Sequence, residues 1–268
     1  MLSEKSYPLL FKKTATFLSL FMLRRIQKDV YMFLAKYKIF YPVLFKILEK
    51  KNYLEIEFDK MIKDYSAKNK DVFFIQIGAN DGMKFDPTYL YVKKYGWKGI
   101  LVEPVGYVFD KLKNNYKNVK GLVFEDAAIG DKDGFKNFYL LKKSEGENLP
   151  LWYDEIGSFS KEHVLKHGDR IKDIDKRLMT QKIKVLTLKS LLEKYKVSKI
   201  DFLQIDTEGY DQYILKQIPF NKIKPSMIVY EDRHLSREEK EHCQKLLIEN
   251  GYTIIRGLDC FAYLKGKM

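Results

Sequence analysis

Two groups of residues in this 268-residue chain combine types and spacings suited to holding a nucleotide. The first is Gly-Ala-Asn-Asp-Gly at residues 78–82, which abruptly ends the apolar run DVFFIQI that begins at Asp71. Small residues behind a buried strand let the backbone approach a ligand at the strand's carboxyl end. The second group is a pair of acids. Glu103 follows Gly78 by 25 residues, near the spacing of roughly 20 residues at which a dinucleotide fold places its ribose-binding acid. A carboxylate there accepts hydrogen bonds from both ribose hydroxyls. Asp126 is suited to accept from an adenine amino group. Gly78 and Gly82 do not make a GxGxxG motif, so the glycines gain their meaning from the two acids. The implied site takes a nucleotide-type cofactor.

The elements that must position these residues follow from the hydrophobic pattern. A short all-apolar run bounded by glycine fits a parallel strand buried on both faces. Asp86-Pro87 offers a cap and a first-turn proline, and TYLYVKKYGW carries a short helix that Gly96 closes. GILVEP (Gly99 to Pro104) is a second strand, and Val105 to Tyr116 repeats apolar residues at helical spacing. GLVFEDAAIG supplies a third strand ending at Glu125-Asp126, and FKNFYLL around Phe138 alternates like an extended edge element. KIDFLQIDTEGYD is a fourth strand, ending in Asp206, Glu208 and Asp211, and SMIVYED (Ser226 to Asp232) is a fifth. Alternation of strand and helix predicts an α/β fold with a parallel sheet. The last two runs, YTIIR and CFAYL, are separated by Gly257-Leu258-Asp259 alone. So short a link permits antiparallel pairing but no parallel crossover.

Between Ser144 and Gln181 the regularity is lost. Loops this long in a compact domain act as lids or lack order. His163 and His167 stand four residues apart there and read either as surface histidines or as a metal pair whose remaining ligands are not apparent. Trp152 and Tyr153 read equally as a platform for a sugar ring or as pins fixing the loop to the core.

Composition sets the wider bounds. Hydrophobic residues make up 46% and charged residues 32% of the chain, which is globular. Its length suits one α/β domain with an appendage. Only Cys243 and Cys260 occur, without a CxxC motif, so a reducing, cytoplasmic setting is expected and both cysteines read as small packing residues. The formal net charge is +13, and residues 1–70 carry +8 of it. That segment reads as a basic amphipathic helical extension to a domain over 71–268. It packs on the main domain or on a second copy, or it lies peripherally on an anionic membrane through residues 1–50. Its longest apolar stretch is about half of the ~20 residues that span a bilayer, and no cleavage site follows. No nucleic-acid recognition motif accompanies the charge.

The motifs VFFIQIGANDG, Glu103-Pro104, KIDFLQIDTEGYD and the closing hairpin together resemble the FkbM-type family of S-adenosylmethionine-dependent methyltransferases, over about Asp71 to Leu264. The resemblance implies a class I methyltransferase (Rossmann-like) sheet of seven strands, the last antiparallel, and O-methylation of sugar hydroxyls in glycans or natural products. Gly78, Asn80, Asp81 and Gly82 would wrap the methionine part of S-adenosylmethionine, Glu103 the ribose, and Asp126 with Ala127 the adenine. The terminal hairpin and the missing third glycine weigh against a nicotinamide dehydrogenase.

Methyl transfer to a hydroxyl needs alignment and a way to remove the proton, either a general base or a divalent cation. Asp206, Glu208, Glu231, Asp232 and His234 end the fourth and fifth strands, where such a helper should stand. Asp206 and His234 are the expected catalytic residues. Asp206, Glu231 and Asp232 are the expected ligands of Mg²⁺ or Mn²⁺. The plainer readings are helix N-terminal charge for Glu208 and Asp211 and a hydrogen-bonded loop residue for His234. The expected acceptor is a saccharide or glycolipid, with the 144–181 insertion shaping its pocket. A catalytically silent α/β binding module and an RNA methyltransferase are the competing functions.

Overall fold

The computed structural model describes residues 53–84, 86, 88–142, 144, 149–150, 152–257 and 259–268. The chain divides into two compact units, residues 1–56 and 57–268. The reading of residues 1–50 as a partner- or membrane-binding arm lies outside the described residues. Among the described residues no helix is long and apolar enough to cross a membrane.

The expected boundary at residue 70 falls just past helix α1 (Tyr53–Lys68), whose residues from 57 onward belong to the second unit. The spacing of Ile62, Tyr65 and Ser66 puts one helical face into the core. The Tyr65 hydroxyl donates to Asp201 Oδ1 at 2.5 Å, while Asp201 Oδ2 accepts the Phe73 N–H at 2.9 Å. One buried acid thereby ties the helix to two strand starts.

The strands are β1 (Phe73–Ile77), β2 (Lys98–Val102), β3 (Leu122–Glu125), β4 (Ala128–Ile129), β5 (Gly134–Leu141), β6 (Leu178–Leu186), β7 (Phe202–Ile205), β8 (Met227–Tyr230), β9 (Thr253–Arg256) and β10 (Cys260–Tyr263). Seven of them form one sheet in the order β3-β2-β1-β7-β8-β10-β9. Strands β3, β2, β1, β7 and β8 are mutually parallel, and β10 runs antiparallel to both β8 and β9. This is the expected class I methyltransferase sheet, its hairpin included.

Alternation along β1 explains the double burial. Ile75 and Ile77 face one apolar cluster and Phe74 the opposite one, each at most 1% exposed. Each such side chain contributes about 1.5–3 kcal/mol of burial. Helices α2 (Thr88–Tyr95) and α3 (Gly106–Asn115) cover the second cluster with Tyr91, Val92, Phe109 and Leu112. Chain order reverses at β1, which pairs with β2 on one side and β7 on the other. The crevice beyond such a switch point is where ligands bind in open α/β sheets.

A second sheet, in the order β4-β6-β5, was not read from the sequence. The FKNFYLL run is the body of β5, paired antiparallel with β6 from Gly134↔Val185 to Leu141↔Leu178. The insertion is also ordered in its described part, with α4 (Lys161–Leu165) and α5 (Ile174–Arg177) around a small core of Leu141, Ile156, Val164, Ile171 and Ile174. Trp152 and Tyr153 pack on this core, so they pin the insertion. Among the described residues the remaining α-helices are α6 (Leu188–Lys194), α7 (Asp211–Leu215) and α8 (Arg237–Glu249). Both cysteines are buried free thiols, as expected of packing residues.

Candidate active site

The 78–82 turn is built by its own side chains. Gly78 has φ +78°, and a Cβ on it would lie 1.7 Å from the Asp206 carbonyl oxygen. The close approach that demands glycine is therefore between the β1 and β7 strand ends. Asn80 adopts φ +47°, a conformation non-glycine residues rarely hold. The strain is offset where its N–H donates to Glu103 Oε2 at 3.0 Å. Asp81 is buried and accepts the Met83 and Lys84 N–H groups at 3.0 and 2.8 Å, closing the turn from within. A Cβ on Gly82 would meet Leu112 and Tyr116 at 2.4 and 2.5 Å, so that glycine lets α3 pack against the turn.

Glu103, at the end of β2, is 6% exposed. Besides the Asn80 bond it accepts the Val105 N–H at 2.9 Å on Oε1. Burial pushes its carboxyl up to about 7 against the pull of these two donors, and the charges of Asp126 and Asp154 add to the push. Each carboxylate oxygen keeps a lone pair for a further donor.

A cavity of about 120 Å³, partly open to solvent, lies beyond these strand ends. Gly78, Ala79, Asn80, Glu103, Val105, Ala127, Phe138, Asp206 and Glu208 line it. Asp126 is exposed and outside this lining, although its charge is felt at Glu103. Its neighbour Glu125 is turned the other way and buried. There burial is outweighed by hydrogen bonds from Lys184, Lys194 and Tyr195, which hold its carboxyl near 2.

The floor of the cavity holds polar groups that sequence reasoning missed. Gln76 of β1 and Gln204 of β7 are direct cross-strand partners, and both line the cavity. Gln76 Nε2 donates to Asp86 Oδ2 at 3.0 Å, and Thr88 Oγ1 donates to Gln204 Oε1. Gln76 Oε1 is buried with no hydrogen-bond partner among the described residues. Burial raises the Asp86 carboxyl to about 6. The signal was present: one glutamine at the same register in two otherwise apolar runs, FFIQI and FLQI.

At the opposite wall, Asp206 is accessible through the cavity yet enclosed by protein on most sides. Enclosure raises its carboxyl well above the ordinary range, helped by the charges of Glu231 and Glu208. Glu208, at φ +53°, takes two imidazoles on one oxygen: His163 Nε2 at 2.9 Å and His234 Nε2 at 3.1 Å from Oε2. Burial would raise the Glu208 carboxyl, but those bonds hold it near 2. His163 comes from the insertion and is 6% exposed, so it is no ordinary surface histidine.

Residues 76–254 match the methyltransferase FkbM domain. The chain belongs to the FkbM methyltransferase family. A methyltransferase FkbM from Methylobacillus flagellatus KT is similar over 72% of this chain and 44% of its own, at 14% identity and TM-score 0.45. A fibrillarin pre-rRNA processing protein of Methanococcus jannaschii covers 74% of this chain and 68% of its own, at 10% identity and TM-score 0.37. Precorrin-6y C5,15-methyltransferase from Geobacter metallireducens GS-15 covers 73% and 81%, at 9% identity and TM-score 0.37. This chain thus spans less than half the length of the FkbM structure it resembles. No curated protein matches the chain.

Of the expected site residues in this FkbM chain, Gly78, Asn80, Glu103, Ala127 and Asp206 share the cavity, while Asp81 and Gly82 shape the turn behind it. The expected cation ligands do not form a triad. Side chains alternate at a strand end, and Asp232 lies 3.9 Å from Lys240 on α8, while Glu231 is buried with the His234 group. His234 does not line the cavity and pairs with Glu208 and Glu231 instead.

Proposed function

We propose that this protein transfers a methyl group from S-adenosylmethionine to a hydroxyl of a saccharide or glycolipid. The observation that carries the reading is the cavity at the β1 switch point, with buried Glu103 on one side and Asp206 on the other. The unpartnered Gln76 Oε1 fits the cofactor, because it offers an acceptor to an amino group. Glu103 would hold the ribose hydroxyls, Gln76 and Asp86 the methionine amino group, and Val105 with Ala127 the adenine. When bound, S-adenosylmethionine supplies a sulfonium methyl group as electrophile.

Asp206 is the carboxylate placed to accept the acceptor's proton. Positioning does much of the remaining work. A cytoplasmic setting belongs to the same proposal, supported by two cysteines that are buried free thiols. Methyl-labelled S-adenosylmethionine, incubated with the protein and a panel of glycans and glycolipids, should leave label on a sugar oxygen. Asp206→Asn should abolish that transfer while retaining binding of S-adenosylhomocysteine. Absence of label in every saccharide, or transfer untouched by Asp206→Asn, would contradict the reading.

A further inference from the structure

The residues behind Asp206 come from three separate segments and meet at one point. Glu208 follows β7, Glu231 and His234 follow β8, and His163 lies on α4 of the insertion. Ligand atoms of Glu208, Glu231 and His234 all lie within 4.8 Å of one another. The Glu208 Oε2 to His234 Nε2 distance is 3.1 Å, and His234 Nε2 to Glu231 Oε2 is 3.4 Å. Two donors about 2.1 Å from one ion at tetrahedral or octahedral angles stand about 3.0–3.4 Å apart.

An independent observation comes from Glu231. Its Oε1 is taken by Arg233 Nε at 2.5 Å, but its Oε2 makes no hydrogen bond among the described residues, in a side chain whose residue is only 5% exposed. A buried carboxylate oxygen without a donor is costly, and this one is aimed at His234 Nε2.

We infer that Glu208, Glu231 and His234 form a divalent transition-metal site at the β7 and β8 strand ends, with His163 bonded to its central carboxylate. An imidazole beside two carboxylates suits Mn²⁺, Fe²⁺, Co²⁺ or Zn²⁺ better than the oxygen-seeking Mg²⁺. His163 Nε2, 2.9 Å from Glu208 Oε2, is the kind of outer partner that orients a ligating carboxylate. Because Glu208 also lines the cavity, the site faces the region where an acceptor hydroxyl would lie. Lowering that hydroxyl's pKa is the chemistry such an ion supplies. That role rests on the methyl-transfer reading, whereas the metal site itself does not.

The test is a titration of the metal-stripped full-length chain with Co²⁺, followed by calorimetry and by the visible absorption of the bound ion. One Co²⁺ per chain is expected. Glu208→Gln, Glu231→Gln and His234→Ala should each weaken binding at least about 100-fold, since even partners behind a ligand are worth roughly 10- to 100-fold. His163→Ala should cost about tenfold, and Asp232→Asn should bind as the parent does. Thermal melting confirms that each variant is folded. The inference is overturned if the folded parent shows no saturable binding of Co²⁺, Mn²⁺ or Zn²⁺, or if both glutamine variants bind like the parent. S-Adenosylhomocysteine titrated into the same samples keeps the two ideas apart. Its binding without metal binding sinks the metal site alone, and metal binding without it sinks the methyl-transfer reading alone.

Discussion

The two walls of the cavity are made by different means. On the β1–β2 side, the groups are placed by backbone: Gly78 touches the Asp206 carbonyl, Asp81 closes its own turn, and two N–H groups fix Glu103. On the β7–β8 side, side chains from distant segments do the work, with His163 and His234 meeting on one oxygen of Glu208. A wall set by backbone tolerates little change in shape. A wall set by side chains should yield locally when one of them is removed.

The comparison breaks most visibly at Gly78. Gly78→Ala drives a methyl into the Asp206 carbonyl at a positive φ, and a cost of about 3–5 kcal/mol is expected. Urea unfolding measures it, and a parental midpoint would show that the backbone wall is softer than described.

Next in size is Glu103. Removing an acceptor of charged hydrogen bonds costs about 1.5–3 kcal/mol, so Glu103→Ala should weaken S-adenosylhomocysteine binding by roughly 10- to 150-fold in calorimetry. The same acid predicts a pH dependence. Its folded value of about 7 lies above the ordinary 4.5, so burial favours the protonated form, and that contribution to stability is lost as pH rises from 4.5 through 7. Ribose hydroxyls donate to the ionised form. Affinity for S-adenosylhomocysteine should therefore climb by up to about tenfold per pH unit below 7 and level off above it. A flat profile in the parent would remove Glu103 from the ribose site.

The smallest effect is expected on the side-chain wall. His163→Ala deletes one bond between the insertion and Glu208, worth about 1–2 kcal/mol. The melting temperature should fall by a few degrees, with S-adenosylhomocysteine affinity unchanged. Loss of cofactor binding in this variant would show that the two walls are not independent.

This division also explains what the sequence discloses. Strands buried on both faces and the short link before β10 are local patterns, and both are legible within single segments. The second sheet depends on pairing β5 with β6 across an insertion whose own pattern is irregular. His163 reads as a surface histidine because its partners, Glu208 and His234, stand 45 and 71 positions further along the sequence. Asp232 and Glu231 are adjacent in sequence, yet strand alternation sends them to different neighbours. Asp126, expected to contact adenine, is exposed and outside the cavity lining, and the buried acid at that strand end is Glu125.

On the reading proposed above, the crevice between Glu103 and Asp206 holds the methyl donor. A crystal structure of the chain grown with S-adenosylhomocysteine should show the ribose hydroxyls on the Glu103 carboxylate and the sulfur facing Asp206. Density for the ligand elsewhere on the protein, or in this cavity with its ribose turned away from Glu103, would contradict it.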